Sequence, residues 1–166
     1  MYKISIIIIM LMGCSACVPP VEIQFPNSIY ISDSDADPDF DPANQSGAYL
    51  AGIPVDAKAG RSLMDYGDTL PNKNPIFLAL GKNDRGTDIN DYTNKLQTLL
   101  DSTDNDVYCV LPSIPDNSLD AIRAAMSATC TLTIDTEDYI TQFTDGIHYG
   151  DQAAFGVKLK QIANQY

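Results

Sequence analysis

One tetrapeptide near the end of the chain carries residue types suited to acid–base chemistry. Asp145-Gly-Ile-His148 places an aspartate three residues before the only histidine of the sequence, and on a turn this spacing can bring both side chains to one side. An aspartate that accepts the imidazole Nδ1 proton would leave Nε2 to take a proton from a hydroxyl. A surface aspartate beside a partly buried histidine explains this tetrapeptide equally well.

A second polar segment follows an apolar run. Gly81-Lys-Asn83-Asp84 comes directly after residues 76–80, where glycine permits a sharp turn and the Asn83 amide could donate to a developing oxyanion. An ordinary strand-to-helix turn uses the same residue types, so the segment alone does not decide. Lys82 and Arg85 could bind an anionic group of a substrate or offset nearby carboxylates.

Short apolar runs and helical patterns alternate along the chain and would position these residues. The clearest helix covers residues 88–102, with Thr87 as its expected N-cap. Apolar strands separated by helices predict a parallel sheet whose functional groups gather at the carboxyl ends of the strands. The predicted strands are 28–32, 55–59, 76–80, 107–111 and 131–134, and the predicted helices are 61–70, 88–102, 118–128 and 151–165.

Length and composition fit one globular domain. The chain has 166 residues, of which 45% are hydrophobic and 19% charged, enough for one core and too few for two ordinary domains. We predict a three-layer α/β/α sandwich over residues 28–166, with a flavodoxin-like parallel sheet of about five strands.

The charge of the chain argues against a nucleic-acid partner. The formal charge is −12, and the sequence offers no basic patch that could neutralise phosphates.

The order of the motifs resembles the SGNH or GDSL hydrolase superfamily over roughly residues 28–165. The resemblance rests on a strand followed by Gly-x-Asn-Asp, and on Asp-Gly-x-His before a final helix. The family begins with Gly-Asp-Ser after its first strand, and this chain has Ser32-Asp33-Ser34 there. The resemblance implies a catalytic triad of Ser34, Asp145 and His148. Ser32 in place of the glycine, and the acidic, proline-bearing stretch after Ser34, leave a degenerate site open.

A further block concerns the oxyanion hole. The stretch from Val55 to Leu63 resembles the block of peptidoglycan O-acetyltransferase domains whose glycine N–H helps to form that hole. It implies three donors, namely the N–H groups of Ser34 and Gly60 and the side chain of Asn83. Gly60-Arg-Ser62-Leu imitates the nucleophile motif, but Ser62 is too near Asn83 in the chain for the usual intervening strand and helices, so we prefer Ser34.

Two later cysteines lie in short apolar runs. Cys109 and Cys130 fall at similar heights of consecutive predicted strands. Neighbouring parallel strands are about 4.8 Å apart, within reach of a disulfide when the side chains share a face. We predict a Cys109–Cys130 bridge, with two buried free thiols as the alternative.

The first residues are typical of an export signal, because Lys3 precedes an apolar run too short to span a bilayer. Residues 11–14, Leu-Met-Gly-Cys, resemble the bacterial lipobox, which implies a signal peptide over 1–13, lipidation of Cys14 and a tether over 14–27. A buried N-terminal strand is the alternative. By the same resemblance, Ser15 favours the outer membrane, facing the periplasm or the surface. We expect a monomer anchored in the cell envelope.

The resemblance implies a serine ester hydrolase that acts on O-acyl or O-acetyl groups of a carbohydrate or the cell envelope. Its substrate would be a small acyl ester or an O-acetylated polysaccharide, and no cofactor or metal ion is expected. Alternating aspartates between Asp33 and Asp41 could bind calcium, but the EF-hand spacing is missing. Two alternatives remain: an O-acetyltransferase with a partner acyl donor, and a catalytically inactive envelope lipoprotein that serves as a binding module.

Overall fold

The computed structural model describes residues 22–36, 46–114, 117–143 and 148–166. The strands are β1 (Ile29–Ser32), β2 (Val55–Ala57), β3 (Ile76–Ala79), β4 (Val107–Leu111) and β5 (Leu132–Asp135). They form one sheet in the order β2-β1-β3-β4-β5 with every neighbouring pair parallel. This is the flavodoxin-like order, whose switch point lies between β1 and β3. The predicted fold class is therefore confirmed.

Helices cover both faces of the sheet. The helices of the described residues are α1 (Gly47–Ala51), α2 (Ile89–Asp101), α3 (Asp120–Thr129) and α4 (Ala153–Ala163), with 3₁₀ turns at Ser34–Ala36, Asn117–Leu119 and Thr136–Asp138. Because strand side chains alternate in direction, each strand presents apolar residues to both layers of helices. Tyr30 and Phe77 are buried with α1 and α4 on one face, and Ile31 and Leu78 are buried with α2 and α3 on the other.

Residues 61–70, predicted to be a helix, instead form successive turns. The Asp84 carboxylate accepts hydrogen bonds from the backbone N–H groups of Leu63 and Met64, at 2.8 and 3.3 Å. The Ser102 hydroxyl accepts from the N–H of Leu70 at 2.9 Å. Side chains from distant segments thus bind donors that a helix would satisfy locally, and the helix prediction was wrong.

Helix ends also differ from the predictions. Asp88, not Thr87, caps α2, since its carboxylate accepts from the N–H groups of Asn90 and Asp91. Helix α1 was not predicted. It has only five residues, too few for a periodic pattern, and begins where the Ser46 hydroxyl accepts from the Tyr49 N–H at 3.3 Å.

Cys109 and Cys130 form a disulfide. Cys109 lies on β4, but Cys130 directly follows α3, and the strand neighbour of Cys109 on β5 is Thr133. The bridge therefore ties a central strand to the end of a covering helix, not two strands as the sequence suggested.

The proposed signal peptide (1–13), Cys14 and most of the tether lie outside the described residues. Within the described ranges, no helix combines the length and apolar character needed to cross a membrane.

Candidate active site

Three loops leave neighbouring strands at one edge of the sheet. In the strand register, Ser32 of β1 is opposite Ala57 of β2 and Ala79 of β3. The loops that follow carry Ser34, Gly60 and Asn83. The carboxyl ends of parallel strands at a switch point are where such sheets place their ligands, so the fold brings these loops to that place.

Ser34 and His148 come into contact across this edge. Ser34 Oγ lies 3.0 Å from His148 Nε2, although 114 residues separate them in the chain. Both residues are half-buried. An imidazole without a proton on Nε2 can accept the hydroxyl proton at this distance. Asp145, the predicted third member of the triad, lies outside the described residues.

Asn83 joins the two loops that flank it. Its Nδ2 donates to Asp33 Oδ2 at 3.2 Å and to the carbonyl oxygen of Arg61 at 3.1 Å. The amide thus lies between the loop that carries Ser34 and the loop that carries Gly60. Both amide protons already have acceptors. The amide can therefore donate to an oxyanion only when one of these two hydrogen bonds breaks.

Gly60 occupies a tight turn after β2. The N–H of Arg61 donates to the Lys58 carbonyl at 3.1 Å, and Gly60 has φ of 73°, a conformation that favours glycine at the third position of a turn. The N–H of Lys58 donates to the Ser32 carbonyl at 3.3 Å. The Arg61 guanidinium binds Asp56 at 2.9 Å. These contacts fix the turn beside the end of β1.

Ser62 is bound within its own loop. Its hydroxyl donates to Asp65 Oδ2 at 2.8 Å and accepts from the Asp65 N–H at 3.1 Å. The chain's single histidine contacts Ser34 instead. The geometry therefore favours Ser34 over Ser62 as a nucleophile.

Solved structures with this architecture include several ester-cleaving enzymes. An aryl esterase from M. smegmatis superposes with a TM-score of 0.56 at 14% identity, over 84% of this chain and 99% of that chain. A carbohydrate acetylesterase from Sinorhizobium meliloti gives 0.52 at 15% identity, over 84% and 97%. A Bacteroides fragilis protein assigned as an acylhydrolase gives 0.59 at 9% identity, over 87% and 91%. This chain has the SGNH hydrolase fold.

At these identities the likeness concerns the fold. No protein-family model matches the chain, and no curated protein matches its sequence. The structure places Ser34, Gly60, Asn83 and His148, the residues that the sequence resemblance singled out, in loops at one edge of the sheet.

Asp33, directly before Ser34, is almost fully buried. Burial raises the pKa of its carboxyl to about 7, and the nearby Asp35 carboxylate adds to this, against the lowering effects of the Asp35 N–H, Lys82 and His148. The Asp35 N–H donates to Asp33 Oδ1 at 3.1 Å. A carboxyl that titrates near neutral pH therefore lies beside the candidate nucleophile.

Lys82 does not bind a substrate anion, contrary to one of the two roles considered from the sequence. Its Nζ lies 2.7 Å from Asp35 Oδ2, and the two side chains are 4% and 6% exposed. The lysine therefore neutralises a buried carboxylate, the other role considered. Sequence reasoning considered Asp35 only as one of the alternating aspartates between Asp33 and Asp41, and did not pair it with Lys82. Arg85 is exposed.

An open polar cleft borders the Gly60 turn. Its volume is about 590 Å³. It is lined by Lys58, Ala59, Gly60, Arg61, Asp65, Tyr66 and Gly67. In the part of the chain that the structure describes, no group of three or more histidine, cysteine or acidic side chains is placed to hold a metal ion.

Proposed function

We propose that the protein is a serine ester hydrolase that removes O-acyl or O-acetyl groups from a carbohydrate or a cell-envelope polymer. The observation that carries the proposal is the 3.0 Å contact between Ser34 Oγ and His148 Nε2, the arrangement by which a histidine activates a serine nucleophile. The esterases that share the fold support the same reaction class.

In the proposed reaction, His148 takes the proton of Ser34 while Ser34 Oγ attacks the ester carbonyl carbon. The N–H groups of Ser34 and Gly60 and the Asn83 amide donate to the oxyanion of the tetrahedral intermediate. His148 then passes the proton to the departing alcohol, which leaves an acyl-serine. A water molecule, deprotonated by His148, attacks this ester and releases the acid. Asp145 is proposed to orient the imidazole.

The cleft beside Gly60 supports a sugar ester as substrate. Apart from Ala59, its lining side chains are charged or carry a hydroxyl group. Such groups can hydrogen-bond to sugar hydroxyls but make poor surroundings for a long acyl chain. A carbohydrate acetylesterase is among the proteins with this fold. An acetylated sugar would place its ring in the cleft and its ester carbonyl at Ser34.

The altered nucleophile motif does not separate the two reacting residues. Ser32, which replaces the motif glycine, continues β1 in register with both neighbouring strands, and Ser34 still reaches His148. This geometry favours an enzyme over the inactive binding module.

Acyl transfer is the second candidate reaction. Transfer of the acyl group to a sugar hydroxyl would use the same acyl-serine as hydrolysis. The resemblance of residues 55–63 to O-acetyltransferase domains supports this candidate.

A fluorophosphonate probe tests the proposal, since it labels only activated serines. We expect the purified full chain to be labelled, Ser34→Ala and His148→Ala to lose labelling, and Ser62→Ala, the matched control, to keep it. An acetyl-sugar screen would follow, with water and a sugar as competing acceptors. A folded wild type that is not labelled, or labelling lost in Ser62→Ala alone, would overturn the proposal.

We also propose that Cys14 anchors a monomeric protein in the cell envelope, at the outer membrane, after removal of residues 1–13. The lipobox-like sequence supports this. Metabolic labelling with a fatty-acid analogue should modify the wild type and not Cys14→Ser. Equal labelling of both would contradict the anchor.

A further inference from the structure

We propose that the buried Lys82–Asp35 ion pair is a positioning device that holds His148 against Ser34. The inference rests on the proposed function, because it concerns the alignment of that reaction's base and nucleophile. The pair contains neither reacting atom, so both are positioning residues and not catalytic ones.

One carboxylate joins the nucleophile loop to the histidine loop. Asp35 directly follows Ser34, and its Oδ1 accepts the backbone N–H of Tyr149, the neighbour of His148, at 3.2 Å. The carbonyl of Asp35 also accepts from Gln152 Nε2 at 3.4 Å. The residues next to the two reacting side chains are therefore held to each other.

The lysine brings in the third loop. Lys82 directly precedes Asn83, and its Nζ contacts Asp35 Oδ2 at 2.7 Å. The same ammonium group lies 4.0 Å from the centroid of the Tyr149 ring, within the range of a cation–π interaction. Tyr149 is itself fixed, since its hydroxyl accepts the N–H of Ser113 at 3.0 Å. The loops of the nucleophile, the oxyanion donor and the base thus converge on one ion pair.

Stability alone gives little reason for such a pair. Desolvation of two charges offsets most of their attraction, so apolar residues of similar volume often stabilise a core equally well. Neither side chain of the pair is available to a substrate, because both are almost fully buried. What the pair does provide is a fixed distance between segments that carry Ser34, Asn83 and His148. Small misplacements of reacting groups reduce turnover strongly.

The test compares two double variants of the full chain. Lys82→Met/Asp35→Asn removes both buried charges together, and the asparagine keeps an oxygen that can accept from Tyr149. Lys95→Met/Asp68→Asn is the matched control. It removes an ion pair of the same chemistry, with a distance of 2.6 Å, in which Asp68 is largely exposed. Asp35→Asn alone, in which the Asp33 carboxyl remains as an acidic group close enough to interact with Lys82, is the second variant if the double variant does not fold.

Three readouts separate positioning from a merely structural role. They are the rate of fluorophosphonate labelling, kcat and KM for an acetyl ester, and ¹⁵N NMR of the imidazole, which reports on His148 alone because the chain has one histidine. We expect the first double variant to lose about 10- to 100-fold in labelling rate and kcat with KM little changed. Its neutral imidazole should exchange between tautomers, whereas the wild type and the control should keep one neutral tautomer, with the proton on Nδ1 and Nε2 facing Ser34.

A folded variant that reacts at the wild-type rate, with the wild-type tautomer, would overturn the positioning role. Failure of the proposed function looks different: the wild type itself would not be labelled. In that case the imidazole spectra still decide whether the ion pair orients His148.

Discussion

Gly60 and Gly86 adopt the same left-handed backbone conformation, with φ of 73° and 83°, and a β-carbon on either would meet no atom within 4 Å. Both residues are exposed, but only Gly60 lies in the turn beside the Ser34 loop. The two glycines therefore separate the cost of backbone strain from the loss of an oxyanion donor.

Gly60→Ala and Gly86→Ala should each lower the free energy of unfolding by about 1–2 kcal/mol, because alanine disfavours positive φ. Only Gly60→Ala should also lower kcat, by up to about 100- to 1,000-fold, since relaxation of the turn moves the N–H away from the oxyanion. Urea unfolding and steady-state kinetics measure the two effects. Equal kcat values in both variants would exclude the Gly60 N–H as a donor.

Asn83→Ala should lower kcat by about 100- to 1,000-fold, because the tetrahedral intermediate loses a side-chain donor. The free energy of unfolding should fall by about 1–2 kcal/mol, because Asp33 and the Arg61 carbonyl each lose a hydrogen bond. Asn94→Ala, at an exposed position of α2, is the control for both measurements. An Asn83→Ala enzyme with wild-type kcat would remove this residue from the oxyanion hole.

Ser34, Asn83 and His148 could be found from the sequence because each is close in the chain to a recognisable element. Apolar strands followed directly by polar residues also predicted a parallel sheet and the edge at which the site lies. The Lys82–Asp35 pair could not be found in this way. Its members are 47 residues apart, and lysine is seldom buried, so only the three-dimensional structure shows that this one is.

The incorrect helix prediction for residues 61–70 has a similar cause. Leu63 and Leu70 are buried, so the stretch has apolar residues at a helix-like spacing. The backbone conformation depends instead on Asp84 and Ser102, which bind N–H groups of this stretch from other parts of the chain. Local periodicity contains no information about such partners.

Removal of the disulfide should lower stability and leave activity intact. Cys109 and Cys130 are 21 residues apart, and a cross-link over such a loop typically contributes about 3 kcal/mol to the free energy of unfolding. The bridge belongs to the core under α2 and α3, not to the loops of Ser34 and His148. We expect the double variant Cys109→Ala/Cys130→Ala to unfold at a lower urea concentration than the wild type. Its kcat, measured where the variant is still folded, should equal that of the wild type. A large loss of kcat in the folded variant would link the bridge to the site.

The buried Asp33 carboxyl makes stability depend on pH. Its pKa is raised to about 7 by burial, from an ordinary value of 3.8, so the native state binds the proton more tightly than the unfolded chain between these values. Its contribution to the free energy of unfolding is therefore fully present below about pH 4 and lost as the pH rises through about 7.

Urea unfolding of the wild type and Asp33→Asn at pH 5 and pH 8 measures this contribution. The wild type should lose more stability than the variant between the two pH values. Asp104→Asn, at an exposed position, should behave as the wild type does. The same pH dependence in wild type and Asp33→Asn would show that Asp33 keeps its charge throughout.

The distance of 114 residues between Ser34 and His148 also sets an order of events during synthesis. Gln152, at the start of α4, accepts from the N–H of Gly47 at 2.9 Å and donates to the Asp35 carbonyl, so part of what holds the Ser34 loop is a segment made much later. A nascent chain therefore leaves the ribosome with Ser34 present long before the histidine that it contacts. The contact on which the proposed reaction depends can form only when the last part of the chain has been made.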